Sequence, residues 1–331
     1  MQPKGNCSIE QQLQGVAPGE FCIQNRYDPR GEEGGEALHA QTQGRGKLET
    51  FHLYEGITLT ISSYLGERVC FHHPPSPEVL ELRHCHQGRI GWNMRDGIAV
   101  YLGPGDLCVH TKDRCADSQM NLPLGYYEGI GISIDLQKLE GHEPEIVREA
   151  GIGAALLRQK FCQQKNPLTL PASAPIDRIF GGLYGLPEAL RVPCYKLKVQ
   201  EALLYLGQLE PDGQRDVNQY VSQQTELIRQ IHDFLVHNLD RRFTIEELAK
   251  RYLINTSSLK SVFKAVYGVP LATYVKEYRI RQAMELLRGT DESIAQIAKQ
   301  VGYETQGKFT KAFKESVQLL PTEYRRQYKG R

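Results

Sequence analysis

The chain has 331 residues, with 40 Lys+Arg against 39 Asp+Glu and eight cysteines. That length suffices for two domains with separate cores, and a net charge of +1 points to no partner by itself. No apolar run approaches the roughly 20 residues of a membrane span and no apolar signal core opens the chain, so a reducing, cytoplasmic compartment is expected, with the cysteines mostly as small buried apolar residues.

In chain order, residues 1–20 are polar, and GEEGGEALHAQTQGRGK at 31–47 is Gly-rich and charged, so 1–50 is expected to be a flexible N-terminal region. From about Thr50 to Leu136 come short runs rich in β-branched and aromatic residues: ITLTISSYL, VLELRHCH, GRIGWNM, IAVYLG, DLCVHT and GIGISIDL. Gly-, Asp- and Pro-containing turns divide them, GPGD at 103–106 among them, which predicts antiparallel strands in a barrel or a sandwich. Apolar residues then recur at helical spacing in 144–165 and 195–210, where Leu197, Ala202, Leu203, Leu206 and Leu209 are read as one stripe. A polar segment with Pro and Gly begins at 211 and predicts a linker over 211–222.

Charge separates the two halves. Residues 1–214 carry 20 Lys+Arg and 26 Asp+Glu, net −6, whereas residues 215–331 carry 20 and 13, net +7. Only the second half is therefore expected to meet a polyanion.

That half contains a pattern written twice. FTIEELAKRY at 243–252 pairs with ESIAQIAKQV at 292–301. Thr244 and Ser293 stand at N-cap positions, with Glu247 and Gln296 three residues on, the arrangement of a capping box. A short turn follows, then SSLKSVFKAVYG in one copy and TQGKFTKAFKES in the other. Leu259 and Phe263, and in the second copy Phe309 and Phe313, form the inward faces. The outward positions are Ser257, Ser258, Lys260, Ser261 and Lys264 in the first copy. In the second they are Thr305, Gln306, Gly307, Lys308, Thr310, Lys311 and Lys314. Two short helices with a polar, cationic second member form the helix-turn-helix pattern, and hydroxyl, amide and ammonium groups suit phosphates and base edges. Between the copies, LATYVKEYRIRQAMELLRG at 271–289 carries an apolar stripe of Tyr274, Tyr278, Ile280, Ala283 and Leu287. A helix of about 17 residues spans about 26 Å, enough to hold two reading helices in successive major grooves about 34 Å apart.

These residues resemble the AraC/XylS-type transcriptional regulators. Ile294, Ala298 and Gly302-Tyr303 sit where that family has its I–A–GF/Y signature, and Phe309, Phe313-Lys314, Pro321, Tyr324 and Arg325 match its F…FK…P…YR pattern. Two departures stand out: the Gly kept as Gly268 in the first copy is Gln318 in the second, and Leu320 replaces a Ser or Thr before Pro321. The front half, through ELRHCHQGRIGW at 81–92 and YLGPGDLCVH at 101–110, is similar to the family's cupin-type sensor barrel.

The resemblance implies an α+β chain: an N-terminal cupin-like antiparallel β-barrel with dimerisation helices over 51–210, a linker over 211–222, and an all-α domain over 223–331 with two helix-turn-helix motifs joined by a linker helix. It implies a homodimer that binds double-stranded promoter DNA, a small-molecule effector of unknown identity, RNA polymerase as partner if the protein is an activator, and no cofactor, enzymatic activity or membrane association.

His72, His73, His84 and His86 raise the alternative of a metal-dependent cupin-type enzyme with an accessory DNA-binding tail. His84 and His86 share one strand face, and with Tyr127 they are the expected ligand-lining residues. Two further histidines would be needed before an acidic ligand at Glu81; that place holds PPSP at 74–77, so no catalytic metal site is expected. A cysteine switch lacks a basic neighbour pattern that would lower a thiol pKa.

Overall fold

The computed structural model describes residues 9–29, 39–211 and 219–329. The chain divides into two compact units, with the break between Ser222 and Gln223.

The first unit is built on two open sheets. One has seven strands in the order β1-β3-β4-β11-β6-β9-β12 and the other six in the order β13-β8-β7-β10-β5-β2. In chain order the strands are β1 (Phe21–Tyr27), β2 (His39–Thr42), β3 (Arg45–Tyr54), β4 (Ile57–Leu65), β5 (Arg68–His72), β6 (Val79–Gly88), β7 (Ile90–Met94), β8 (Ile98–Leu102), β9 (Leu107–Thr111), β10 (Cys115–Asn121), β11 (Tyr126–Asp135), β12 (Leu168–Leu170) and β13 (Gln219–Val221). All strand pairs are antiparallel except β1 with β3. Each run read from the sequence as a strand is one. The two sheets share a core: Tyr64, Cys85, Cys108 and Tyr127 from the first meet Phe71, Trp92, Val100 and Met120 from the second. The outer face of the seven-stranded sheet, with Leu80, Leu82, Ile130 and Ile132, packs on helices. The period-2 alternation of β6 and β11 supplies both faces at once.

Several boundaries differ from expectation. The region 1–50 was expected to be flexible, yet β1, β2 and most of β3 lie within it; residues 31–38 of its Gly-rich segment lie outside the described residues. Of the expected linker over 211–222, residues 212–218 also lie outside them, while β13 pairs with β8. The 144–165 stretch is not one helix. It breaks once: Glu145–Glu149 ends where Gly151 takes a left-handed φ of 71°, and Ala154–Leu157 then runs directly into a wider π-helical turn at Arg158–Cys162.

Two longer helices complete this unit, α1 (Ala174–Phe180) and α2 (Glu188–Gln208). Tyr195, Val199, Ala202, Leu203 and Leu206 form the buried face of α2. Leu197, read as part of that stripe, is instead 66% exposed, as is Leu190 to 51%. Five residues of helix turn a side chain by about 140°, so Leu197 cannot share a face with Ala202.

The second unit is helical: α3 (Ser222–His237), α4 (Ile245–Arg251), α5 (Thr256–Tyr267), α6 (Leu271–Gly289), α7 (Ile294–Gln300), α8 (Gln306–Val317) and α9 (Pro321–Tyr328). The long helix α6 has 19 residues, and Ile280, Ala283 and Leu287 from it join Ile297, Ala298, Phe309 and Phe313 in one core. At its other end Tyr274 packs against Phe263 and Tyr267, with ring centroids 5.6 and 4.8 Å apart. One helix thus supports both copies of the repeated pattern.

Candidate functional site

Both copies fold as the capping chemistry dictates. The Thr244 hydroxyl accepts from the Glu247 backbone N–H at 3.1 Å, and the Glu247 carboxylate accepts from the Thr244 N–H at 2.7 Å. Ser293 and Gln296 repeat this at 3.2 and 2.8 Å. The second helices start on side-chain caps as well: Asn255 accepts from the Ser258 N–H at 2.7 Å, and Thr305 from the Lys308 N–H at 3.2 Å. Four of the helix ends that face solvent are thereby fixed by local hydrogen bonds.

Each copy also needs two left-handed residues, one in the turn and one closing the second helix. The first copy has Leu253 (φ 53°) and Gly268 (φ 84°); the second has Gly302 (φ 78°) and Gln318 (φ 62°). Leu253 and Gln318 are the only non-glycine residues with positive φ among those described. Each copy therefore keeps glycine at the position where the other has a side chain. The reason is visible at the turn. Leu253 is 95% exposed, so its side chain has room, whereas a Cβ on Gly302 would overlap the Leu239 carbonyl oxygen and the Arg279 guanidinium.

Two arginines lock the entrances of the two motifs: Arg279, which sequence reasoning missed, and Arg325, which it matched to the family pattern without a role. Arg279, on α6 and 8% exposed, donates to the carbonyls of Leu239 and Arg241 at 2.9 and 2.7 Å. Arg325, on α9, donates to the Glu292 carbonyl at 2.5 Å. Each draws the segment before the first helix of a motif onto the helix that follows its second, which accounts for an arginine after Tyr324.

The residues expected to touch DNA lie on the open faces of α5 and α8. Ser257, Lys260, Ser261 and Lys264 are exposed and Ser258 is half-buried. Thr305, Gln306, Gly307, Lys308, Lys311 and Lys314 are exposed and Thr310 is half-buried. Leu259 and Phe263, like Phe309 and Phe313, are fully buried beneath them. Glu304 forms an i,i+4 ion pair with Lys308, so that lysine brings less net charge to the surface than Lys260, Lys264, Lys311 or Lys314.

The first unit holds an internal cavity of about 170 Å³ between the sheets. The three residues expected to line a ligand site are not brought together there. Along β6 the odd residues, Glu81 and Arg83, face the cavity. His84 and His86 face the helices: His84 stacks on Phe180 at 4.7 Å and lies 3.3 Å from the Tyr184 hydroxyl, and His86 stacks on Tyr184 at 3.8 Å. Burial, and then the neighbouring His86, pushes His84 down to about 4, so it is a neutral packing group at neutral pH. Tyr127 does point between the sheets, but it is fully buried and its hydroxyl donates to the His84 carbonyl at 3.3 Å. No group of three or more His, Cys, Asp or Glu side chains suited to a metal ion occurs among the described residues.

One cluster in the cavity was not anticipated. Cys115 Sγ lies 3.6 Å from His110 Nδ1 and 3.7 Å from Nε2. Burial pushes the thiol up, but the His110 charge and hydrogen bonds from His110 and His73 outweigh it and hold the thiol below its ordinary value. His110 shifts upward in turn, since the facing sulfur outweighs its own burial. The basic neighbour is His110, five residues earlier in the chain, and the turn Lys112–Arg114 that joins β9 to β10 brings the two side chains together.

Comparison with known proteins places residues 248–327 in a family described as a helix-turn-helix domain. The chain is 26% identical over 190 residues to the uncharacterized HTH-type transcriptional regulator YtdP of Bacillus subtilis, covering 52% of this chain and 24% of YtdP. It therefore spans about a quarter of the length of that relative. It is 31% identical over 102 residues to the transposon Tn10 TetD protein of Escherichia coli, covering 31% of this chain and 74% of TetD. Among solved structures, the C-terminal domain of the two-component response regulator yesN from Fusobacterium nucleatum is 30% identical, with 31% of this chain and 99% of that one covered and a TM-score of 0.29.

Proposed function

Since this chain belongs to the AraC/XylS family of transcriptional regulators, we propose that it is a sequence-specific DNA-binding regulator in which α5 and α8 enter two successive major grooves. The observation that carries this reading is the pair of capped helix-turn-helix units built on one supporting helix, each presenting a polar, cationic second helix to solvent. Ser257, Ser258, Ser261, Thr305, Gln306 and Thr310 would supply hydrogen bonds to base edges and phosphates. Lys260, Lys264, Lys308, Lys311 and Lys314 would neutralise phosphates, and the bare backbone at Gly307 would allow close approach. The enzyme alternative is not favoured, since the relatives are named as transcriptional regulators.

The first unit is read as a cupin-like sensor whose cavity receives a small molecule. Its signal would bias the placement of the DNA-binding unit, since a ligand shifts only an equilibrium whose states it binds unequally. The exposed Leu190 and Leu197, one heptad apart on α2, are read as the contact with a second copy. No described helix is long and apolar enough to cross a membrane. A regulator of this kind would act in the cytoplasm, with RNA polymerase as partner if it activates.

Titration of a promoter fragment at several salt concentrations tests the DNA contact. Lys260→Ala and Lys311→Ala are each expected to weaken binding and to reduce the slope of log K against log[salt] by about one. Unchanged slopes in both variants would remove α5 and α8 from the interface.

A further inference from the structure

We propose that Cys115 and His110 form a covalent capture site for a small α,β-unsaturated carbonyl compound entering the cavity between the sheets. The inference deepens the reading of the first unit as a sensor and rests on it for its regulatory part.

Three observations support it independently of one another. The thiol and the imidazole are in contact at 3.6 Å inside the cavity, with Arg83, Glu81 and Lys112 also on its wall. Cys115, Phe71 and His73 line both this cavity and a second, more open one of about 460 Å³ that Pro74 and Pro75 also line. Cys115 thus stands where an entering molecule would pass. Lastly, Trp92 lines the cavity at 2% exposure, and its indole N–H has no hydrogen-bond partner among the described residues. A buried donor without an acceptor is costly, and a carbonyl oxygen would satisfy it.

The chemistry follows from those groups. A thiolate paired with an imidazolium is the nucleophilic form of cysteine. Its sulfur lone pair forms a C–S bond to the β-carbon of the unsaturated carbonyl, and the C=C π pair moves toward the carbonyl as an enolate. Arg83 and Trp92, both on the cavity wall, would supply N–H donors to the enolate oxygen. The His110 imidazolium then gives its proton to the α-carbon and becomes neutral. The net reaction adds S–H across C=C and needs no oxidant or further reactant. The cavity is many times the space of a single water, so a molecule of a few non-hydrogen atoms fits.

The test uses the full chain and methyl vinyl ketone, with site-resolved mass spectrometry of each cysteine over time. Cys115 is expected to react at least tenfold faster at pH 6.5 than Cys22, Cys70, Cys162 or Cys194. Its rate should change by less than about threefold between pH 6.5 and 8.5, where an ordinary thiol changes about fiftyfold. The groups that set this profile are His110 on β9, His73 after β5, Glu81 and Arg83 on β6, and Lys112 in the turn. His110→Asn should slow Cys115 at pH 6.5 by tenfold or more, and the loss should shrink as pH rises. A Cys115 rate that matches the other cysteines, or falls about fiftyfold on acidification, would overturn the proposal even if the variant does not fold. That outcome would leave the sensor reading open to a non-covalent ligand. DNA affinity measured before and after modification separates the two: a change of fivefold or more in the unmodified sequence, absent in Cys115→Ser, supports capture as the signal. Complete modification with unchanged affinity would overturn capture as the signal, and the sensor reading would then rest on a non-covalent ligand alone.

Discussion

Gly302→Ala is expected to destabilise the second unit by about 3 kcal/mol and to abolish DNA binding well before it unfolds the first. Two costs combine. The residue has φ 78°, a conformation that costs a side chain about 1–2 kcal/mol. Its Cβ would also overlap the Leu239 carbonyl oxygen and the Arg279 guanidinium, and neither can retreat freely. Arg279 is held by two carbonyls, and moving it would release the segment leading into α4. A change in the turn of the second motif would therefore reach the entrance of the first. Circular dichroism at 222 nm during urea denaturation reads this directly, because the second unit is almost wholly helical. A loss below about 1 kcal/mol would contradict the packing described at Gly302.

Glu49→Ala should have a comparable effect on the first unit. Glu49, on β3 and 9% exposed, accepts from Arg191 Nη2 and Arg26 Nε at 2.7 Å each, with Lys47 Nζ at 3.2 Å. Arg191 fixes α2 to this sheet and lies 4.9 Å over the Phe51 ring. Removing the carboxylate leaves a largely buried guanidinium with, among the described residues, only the exposed Glu188 as an ionic partner, a loss of about 3 kcal/mol. The same group predicts a pH dependence. Burial raises the Glu49 pKa, but the Arg191 and Arg26 hydrogen bonds and the surrounding positive charge overcome it and bring it down to about 2. A carboxyl lowered on folding stabilises the protein above its unfolded value near 4.5, and that contribution is lost as pH falls through the folded value. The wild type should lose stability between about pH 4.5 and 2, and the variant should lose less over the same window. Fluorescence of Trp92, the single tryptophan, reports on this unit alone. Equal losses in both proteins would remove Glu49 from the acid response.

What could be read from the sequence was local. The capping boxes at Thr244 and Ser293 depend on hydrogen bonds three residues apart, and the repeat depends on apolar spacing along single helices, so both were legible. The contacts of Arg279 and Arg325 were not, because their acceptors are backbone carbonyls 33 to 40 residues away and any residue type supplies a carbonyl. Strand alternation correctly put His84 and His86 on one face of β6, yet alternation does not say which face meets a cavity. Charge is usually outside, whereas here Glu81 and Arg83 line the interior. The Cys115–His110 contact is local, closed by the turn between β9 and β10, and a spacing of five residues became informative only once that turn was known. Leu197 is apolar like the rest of the stripe, but it stands about 140° around the helix from Ala202, and angle rather than apolarity leaves it exposed.

Hydroxyl-radical footprinting of the full chain on a promoter fragment tests the central claim most directly. Two reading helices carried by one supporting helix predict two protected patches per protomer, on one side of the duplex and one helical turn apart. Lys311→Ala should weaken the patch contacted by α8 while leaving the other. A single protected patch, or protection that disappears uniformly with either lysine variant, would contradict paired groove recognition by α5 and α8.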